Sequence, residues 1–182
     1  MILGAVLAGG ASRRFGSDKA LAPLDGRPLI DHVIAHLAPQ CAALVVVGRR
    51  YGDWTSLTDR PAGGLGPLAA LNAALHFAAN HGFAGVLSAP CDMPDLPHNL
   101  AILLGNGPAV LADQPVVGMW PVGIAPQLDD WLATGERSVA KFARHIGAAQ
   151  VVPPGPLANI NTPTDLAQRR NTNLHHRHPG LD

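Results

Sequence analysis

Between Leu7 and Lys19 the chain reads Leu7-Ala8-Gly9-Gly10-Ala11-Ser12-Arg13-Arg14-Phe15-Gly16-Ser17-Asp18-Lys19. Glycines without side chains let backbone N–H groups come close to a phosphate chain or a base. Arg13, Arg14 and Lys19 add fixed positive charge in the same stretch. That pairing suits a bound triphosphate whose leaving group is pyrophosphate, because negative charge grows there in the transition state. Two other glycine-rich patterns do not fit. The P-loop needs Gly-Lys followed by Ser or Thr, and the dinucleotide pattern needs G-x-G-x-x-G spacing. The competing view of the stretch is a polar turn that only joins a strand to a helix.

A second position able to do chemistry lies in Ser88-Ala89-Pro90-Cys91-Asp92-Met93-Pro94. Asp92 directly follows an apolar run, and the flanking prolines stiffen its backbone. Mg²⁺ takes one or two carboxylates together with waters and substrate phosphates, which Asp92 could supply. The alternative is an aspartate that only closes a turn or caps a helix. Cys91 lacks a recognisably spaced His or Asn and reads better as a structural thiol. Asp59 to Gly66 forms a Gly- and Pro-rich loop able to fold over a ligand. Asn159 and Asn161 alternate around Ile160, so in extended chain both amides face one way. They could bond a phosphate or a pterin, or simply pin the turn before the last helix. His175, His176 and His178 could bind metal, but a solvated terminus explains them with less. Trp54 falls in a candidate ligand loop, while Trp120 and Trp131 read as packing residues.

These residues need strand ends to hold them. Ile2 to Ala8, Ala43 to Val47 and Gly85 to Ala89 are short apolar runs closed by Gly or Pro, the pattern of buried strands. Leu29, Ile30, Val33, Ile34 and Leu37 share a helical stripe behind Pro28. Pro67 opens a helix carrying Leu68, Leu71 and Leu75. Asp53 to Gly66 is expected to be irregular, and Pro97 to Leu104 helical. Val110 to Val122 predicts two short strands joined at Asp113-Gln114-Pro115. Leu128, Trp131 and Leu132 mark a helix, Ser138 caps another through His145, and Val151-Val152 is a last strand. Thr162-Pro163-Thr164-Asp165 starts the final helix, with Asn171 onward frayed. Strands alternating with helices predict an α/β three-layer sandwich around a mostly parallel, Rossmann-like sheet. In such a sheet ligands gather at the carboxyl ends of the strands, where Ala8 to Lys19, Gly48 to Arg50 and Pro90 to Pro94 fall. We expect a single domain over residues 1–170 and a flexible His-containing tail at 171–182.

Bulk composition sets the outer limits. A chain of 182 residues, 47% hydrophobic and 14% charged, has material for one packed core. With only 4% aromatics, that core must come from Ala, Val, Leu and Ile. Formal net charge is zero, so no basic excess points to nucleic acid or an anionic membrane. Cys41 and Cys91 are too few for a disulfide framework and suit a reducing, cytoplasmic setting. The apolar start has no basic segment before it and meets Gly9-Gly10 too soon for a signal peptide or a spanning helix.

The motifs together resemble the molybdenum cofactor guanylyltransferases. The resemblance rests on Leu7-Ala8-Gly9-Gly10 followed by Arg13-Arg14, Gly16 and Asp18-Lys19. It continues through Asp59, Gly66-Pro67-Leu68-Ala69, Pro90-Cys91-Asp92-Met93-Pro94 and Asn159-Ile160-Asn161-Thr162-Pro163, and spans roughly residues 2 to 170. It implies a nucleotide-diphospho-sugar transferase type of fold. It also implies transfer of GMP from Mg-GTP to molybdopterin-bound molybdenum, giving the guanine dinucleotide cofactor and pyrophosphate. On this reading Leu7, Ala8, Gly9 and Gly10 line the base and ribose, Asp59 binds guanine, and Lys19 holds phosphates. Asp92 carries Mg²⁺, Arg14 and Lys19 neutralise the departing pyrophosphate, and Asn159 and Asn161 lie on the pterin side. Other cofactor-biosynthesis proteins are the implied partners, and the chain is expected to be a monomer or weak homo-oligomer. Phe15 replaces a usual Met, Ala70 a common Gly, and Gly48 an Asn that contacts nucleotide in some members; Arg49 or Arg50 could supply that contact. A sister family that transfers CMP typically begins Leu-Ala-Ala-Gly, so the second glycine favours the larger purine. A non-catalytic nucleotide-binding module is the reading from a different class, and Lys19 with Asp92 argues against it. Glycine spacing disfavours a hydride-transferring dehydrogenase.

Overall fold

The computed structural model describes residues 1–10, 18–62, 64–155, 157 and 159–176, with side chains as far as residue 169. The chain opens with strand β1 (Ile2–Leu7), then a small hairpin, β2 (Pro23–Leu24) and β3 (Arg27–Pro28), leading into helix α1 (Leu29–Leu37). Next come β4 (Ala43–Val47), β5 (Thr55–Leu57), α2 (Pro67–Asn80), β6 (Gly85–Pro90) and α3 (Leu100–Leu104). The remainder is β7 (Ala109–Leu111), β8 (Gln114–Pro121), α4 (Ala125–Ala133), α5 (Val139–His145), β9 (Ala149–Val151) and α6 (Pro163–His176). Among the described residues these strands form one seven-stranded sheet, ordered β5-β4-β1-β6-β8-β7-β9, apart from the β2–β3 hairpin. β1, β4, β5 and β6 are mutually parallel, and β8 enters antiparallel to both β6 and β7. The expected α/β class and its mostly parallel sheet are therefore present.

Strand alternation builds the layers. Leu3, Ala5 and Leu7 of β1, with Val45 and Val47 of β4, face the cluster made with α2, α4 and α5. Val6 and Ala8, with Leu44 and Val46, face α1 and α3. A period of two along each strand thus sorts one apolar run onto both faces, as a sheet covered on both sides requires. α2 is buried on nearly every side, and its many alanines let it lie close against β1 and β6. Gly4 serves the same end on the other face: a Cβ there would come within 3.0 Å of Cys41 Sγ.

Besides the unexpected β2–β3 hairpin and a last strand that lies at Ala149–Val151 instead of Val151-Val152, the observed elements differ from expectation in three places. The segment expected to be irregular contains β5, which pairs in parallel with β4 as an edge strand. Only three residues long, it carries too little pattern to be read from sequence. α3 begins at Leu100, after a turn in which Leu100 N donates to Pro97 O, because Pro94 and Pro97 keep the preceding chain in turns. α6 continues to His176, past the frayed start expected at Asn171. Asp165 Oδ2 accepts from the N–H groups of Asn161 and Thr162, and Asp165 N donates to Thr162 Oγ1. With its start satisfied, each further residue adds a bond to a turn already nucleated.

A polar relay crosses the β6–β8 boundary inside the core. Trp120 Nε1 donates to Ser88 Oγ at 2.8 Å, and Ser88 Oγ donates to Val116 O at 2.6 Å. Gly118 makes room for the indole, since a Cβ there would lie 2.9 Å from the Trp120 ring. Ser88→Ala should leave a buried indole N–H unpaired and lower stability by about 2 kcal/mol. Urea unfolding should show this as a lower midpoint at unchanged slope.

Candidate active site

Chain order around β1 fixes where a ligand can lie. From β1 the chain passes to β4 and β5 on one side and then crosses to β6 on the other, so β1 and β6 flank a topological switch point. Beyond their carboxyl ends opens a cleft of about 630 Å³. Leu7, Ala8, Gly9 and Gly10 form one part of its wall, and Pro90, Cys91 and Asp92 another. Ladder bonding runs to its edge: Ala8 N donates to Val47 O at 2.9 Å and Cys91 N to Leu7 O at 3.2 Å.

Its floor is held by a close glycine contact. Gly48 has φ +92°, and a Cβ on it would sit 2.5 Å from Gly9 Cα and 2.6 Å from Gly9 N. No larger residue fits against Gly9 in this arrangement, whatever relatives carry there. The neighbouring Arg49 is engaged with the protein itself. Its guanidinium grips Asp18 with two bonds, of 2.9 and 2.5 Å, which hold the Asp18 carboxyl below the usual carboxylate range. Asp18 Oδ1 also accepts from Ala20 N, capping the short turn that carries Lys19. The Gly48–Arg49 loop thereby anchors the end of the glycine-rich stretch; Arg50 is exposed and outside the cleft lining.

Lys19 is the meeting point of the polar groups. Its Nζ forms an ion pair with Asp92 Oδ2 and donates to Asn161 Oδ1 at 2.8 Å. Ile160 N donates to Asp92 O at 3.0 Å, tying the Asn159–Asn161 segment to the end of β6. Ile160 is buried beside Leu24, Leu29 and Leu166, while Asn159 lines the cleft and Asn161 reaches Lys19. The alternation expected from the sequence is thus realised, with the amides on one side and the isoleucine on the other.

Opposite stands Asp59, whose Oδ1 would lie 3.8 Å from a Cβ placed on Gly9. Burial pushes its carboxyl up, and its Oδ1 has no hydrogen-bond partner among the described residues. The same holds for Asp92 Oδ1 and Asn159 Oδ1. Three buried oxygens lacking partners in one cleft are what a site looks like when its polar contacts belong to a ligand. Cys91 also lines the cleft, but burial pushes its thiol up to about 12, so it stays neutral and is no nucleophile.

Of the residues singled out from sequence, Leu7, Ala8, Gly9, Gly10, Lys19, Asp59, Asp92 and Asn159 line this one cleft. Asn161 joins them through Lys19. Arg14 lies outside the described residues. Trp54 is not in the lining. Gln114 and Val116 do line it and carried no sequence signal beyond a turn. They arrive because the β7–β8 pairing shifts register between Val110 and Leu111 at the start of β8.

Comparison with known proteins decides the family. Residues 4–149 match the model of the MobA-like NTP transferase domain. The molybdenum cofactor guanylyltransferase of Rhodobacter capsulatus is 40% identical, over 92% of this chain and 94% of that one. The chain belongs to the molybdenum cofactor guanylyltransferase family. It is a nucleotidyltransferase of molybdenum cofactor biosynthesis. Solved structures agree on the fold. Molybdopterin-guanine dinucleotide biosynthesis protein A from Archaeoglobus fulgidus superposes with TM-score 0.71 at 21% identity, covering 96% of this chain and 100% of that one. The 2-C-methyl-D-erythritol 4-phosphate cytidylyltransferase of Thermus thermophilus gives 0.72 at 16%, covering 96% and 98%. No described helix is long and apolar enough to cross a membrane.

The glycine contact yields a test specific to this member of the family. Gly48→Asn should weaken GTP binding by about tenfold and lower the melting temperature, because the side chain collides with the Gly9 backbone. Isothermal titration and thermal melting measure both; tighter binding would show that the floor can open.

Proposed function

We propose that the protein transfers GMP from GTP to molybdopterin-bound molybdenum, releasing pyrophosphate and forming the guanine dinucleotide cofactor. One observation carries this reading: Lys19, Asp92 and Asn161 converge at one rim of a cleft whose other wall presents Asp59 across a glycine floor. The rim has the charges a triphosphate needs, and the wall has a carboxylate suited to a base with adjacent N–H donors. Guanine offers such a pair on its Watson–Crick edge, and ionised Asp59 can accept both. Gly9 and Gly10 leave the backbone open beside the base and ribose, next to Leu7 and Ala8.

Asp92 would hold Mg²⁺. It is a hard oxygen donor, and its buried Oδ1 has no partner among the described residues while Oδ2 is engaged by Lys19. When bound, Mg²⁺ supplies charge neutralisation at the α-phosphate. Lys19 and Arg14 would bind the phosphates and stabilise the leaving pyrophosphate. A terminal phosphate of the acceptor, already ionised, attacks the α-phosphorus in line without a general base. Catalysis is positioning plus electrostatics. Asn159 and Asn161 would stand on the acceptor side, with the backbone at Asn161 fixed by the cap of α6. The reading takes residues 1–170 as one nucleotidyltransferase domain, acting in the cytoplasm on GTP and a molybdopterin-type acceptor.

Asp92→Ala should abolish pyrophosphate release from Mg-GTP and molybdopterin while the far-ultraviolet circular dichroism stays native. Turnover near wild type would remove Asp92 from the mechanism. Competition of GTP with CTP tests the base, and preference for CTP would transfer the assignment to cytidylyl transfer. Asp59 gives a pH prediction. Burial raises its pKa, so the ionised form needed for guanine is lost at higher pH than an ordinary aspartate would lose it. GTP affinity should therefore fall on acidification through that raised pKa. The same shift means that ionised Asp59 disfavours the ligand-free fold at neutral pH, a penalty relieved as protonation sets in. Asp59→Asn should accordingly raise the melting temperature of the free protein while weakening GTP binding.

A further inference from the structure

Behind Asp59 lies a polar network that the proposed reaction does not use. Asn72 is wholly buried on α2, the helix that packs between the sheet and α4. Its Nδ2 donates to Arg60 O at 3.2 Å and to Asp129 Oδ1 at 2.7 Å. Both partners are acceptors, so the amide can point only one way, and its Oδ1 is left without a partner among the described residues. Asp129, on α4, meets His76 Nε2 through its other oxygen at 2.8 Å, and Arg60 Nε lies 3.8 Å from Oδ1. Arg60 N completes the grip by donating to Ala69 O at 3.0 Å.

Residue 60 is thus held at its N–H and its carbonyl by α2, and at its side chain by α4. Asp59 precedes it directly. The arrangement is a poor choice for stability alone. A buried amide with an unsatisfied carbonyl is worse than a well-packed apolar side chain in the same space. Burial also opposes ionisation of Asp129, yet Asn72, His76 and Arg60 together hold its carboxyl below the usual range, so the anchor stays charged.

We infer that Asn72 and Asp129, with His76 behind them, are positioning residues that fix base selectivity by holding Arg60, and so aiming Asp59 into the cleft. The inference rests on the proposal that Asp59 takes the guanine edge. Removing the anchor should let the loop drift, and a misaimed carboxylate loses one of its two bonds first. Inosine triphosphate lacks the 2-amino group and therefore depends less on that aim.

Equilibrium titration of GTP and ITP against the full chain, beside steady-state kinetics, tests this. Asp129→Ala should weaken GTP binding by about fivefold to tenfold, weaken ITP binding less, and raise KM at nearly constant kcat. Asp129→Asn, which keeps an acceptor for the Asn72 amide, should restore most of the GTP-over-ITP preference. A purely structural role would lower the melting temperature without touching that preference. If Asp129→Ala is unfolded at the assay temperature, His76→Gln carries the test, with an expected shift of about twofold in the same direction. Asp59→Asn separates the two claims. If it erases the preference and the anchor variants keep it, the positioning role is overturned while Asp59 stands. If Asp59→Asn itself keeps the preference, guanine is read elsewhere and both claims fall.

Discussion

Everything at the site depends on the parallel pairing of β1 with β6, residue against residue from Ile2 with Gly85 to Leu7 with Pro90. This ladder brings two segments more than eighty residues apart to a common edge. One supplies a glycine-rich backbone, the other a carboxylate. Because the chain leaves β1 in one direction and returns through β6 in the other, no crossover covers the gap between their ends. The cleft is therefore a consequence of strand order, and the polar side chains furnish it without having to create it.

The furnishing is cooperative. Lys19 would be a flexible cation on the end of a loop if Asp18 were not clamped by Arg49 and capping the next turn. Asn161 would be one more exposed amide if Ile160 were not buried and Asp165 did not collect the backbone N–H groups around it. In each case an apolar anchor or a charge pair beside the cleft restricts a residue that faces into it. Buried Trp120 of β8, bonded to Ser88 of β6, plays a comparable part for the wall that carries Val116.

Much of this was legible in the sequence, for identifiable reasons. Strands buried on both faces leave continuous apolar runs closed by Gly or Pro, so β1, β4 and β6 were readable within a residue or two. The glycine-rich stretch and Asp92 follow two of those runs, and the α/β class follows from their alternation with helices. Short edge strands escaped because three residues of β5 have no period to detect. Gln114 entered the cleft through a register shift, which is a property of two strands together and invisible in either alone. The Asn72–Asp129–His76 network escaped for a similar reason. Its members are single polar residues on two helices, far apart in sequence and joined only by packing. That Arg49 grips Asp18 was not legible either, since sequence gives proximity along the chain but not the direction of a guanidinium.

The tight seating of Gly48 on Gly9 has a consequence for how such enzymes diversify. A floor made of two backbones in contact leaves no room for a side chain, so a residue with a Cβ at position 48 requires the two strand ends to part. The same framework underlies a cytidylyltransferase at 16% identity. On the proposed reading, a change of nucleoside reaches both this floor, at Gly9, and the wall at Asp59. A new side chain in the floor and a new spacing of the strand ends beneath it would have to arrive together.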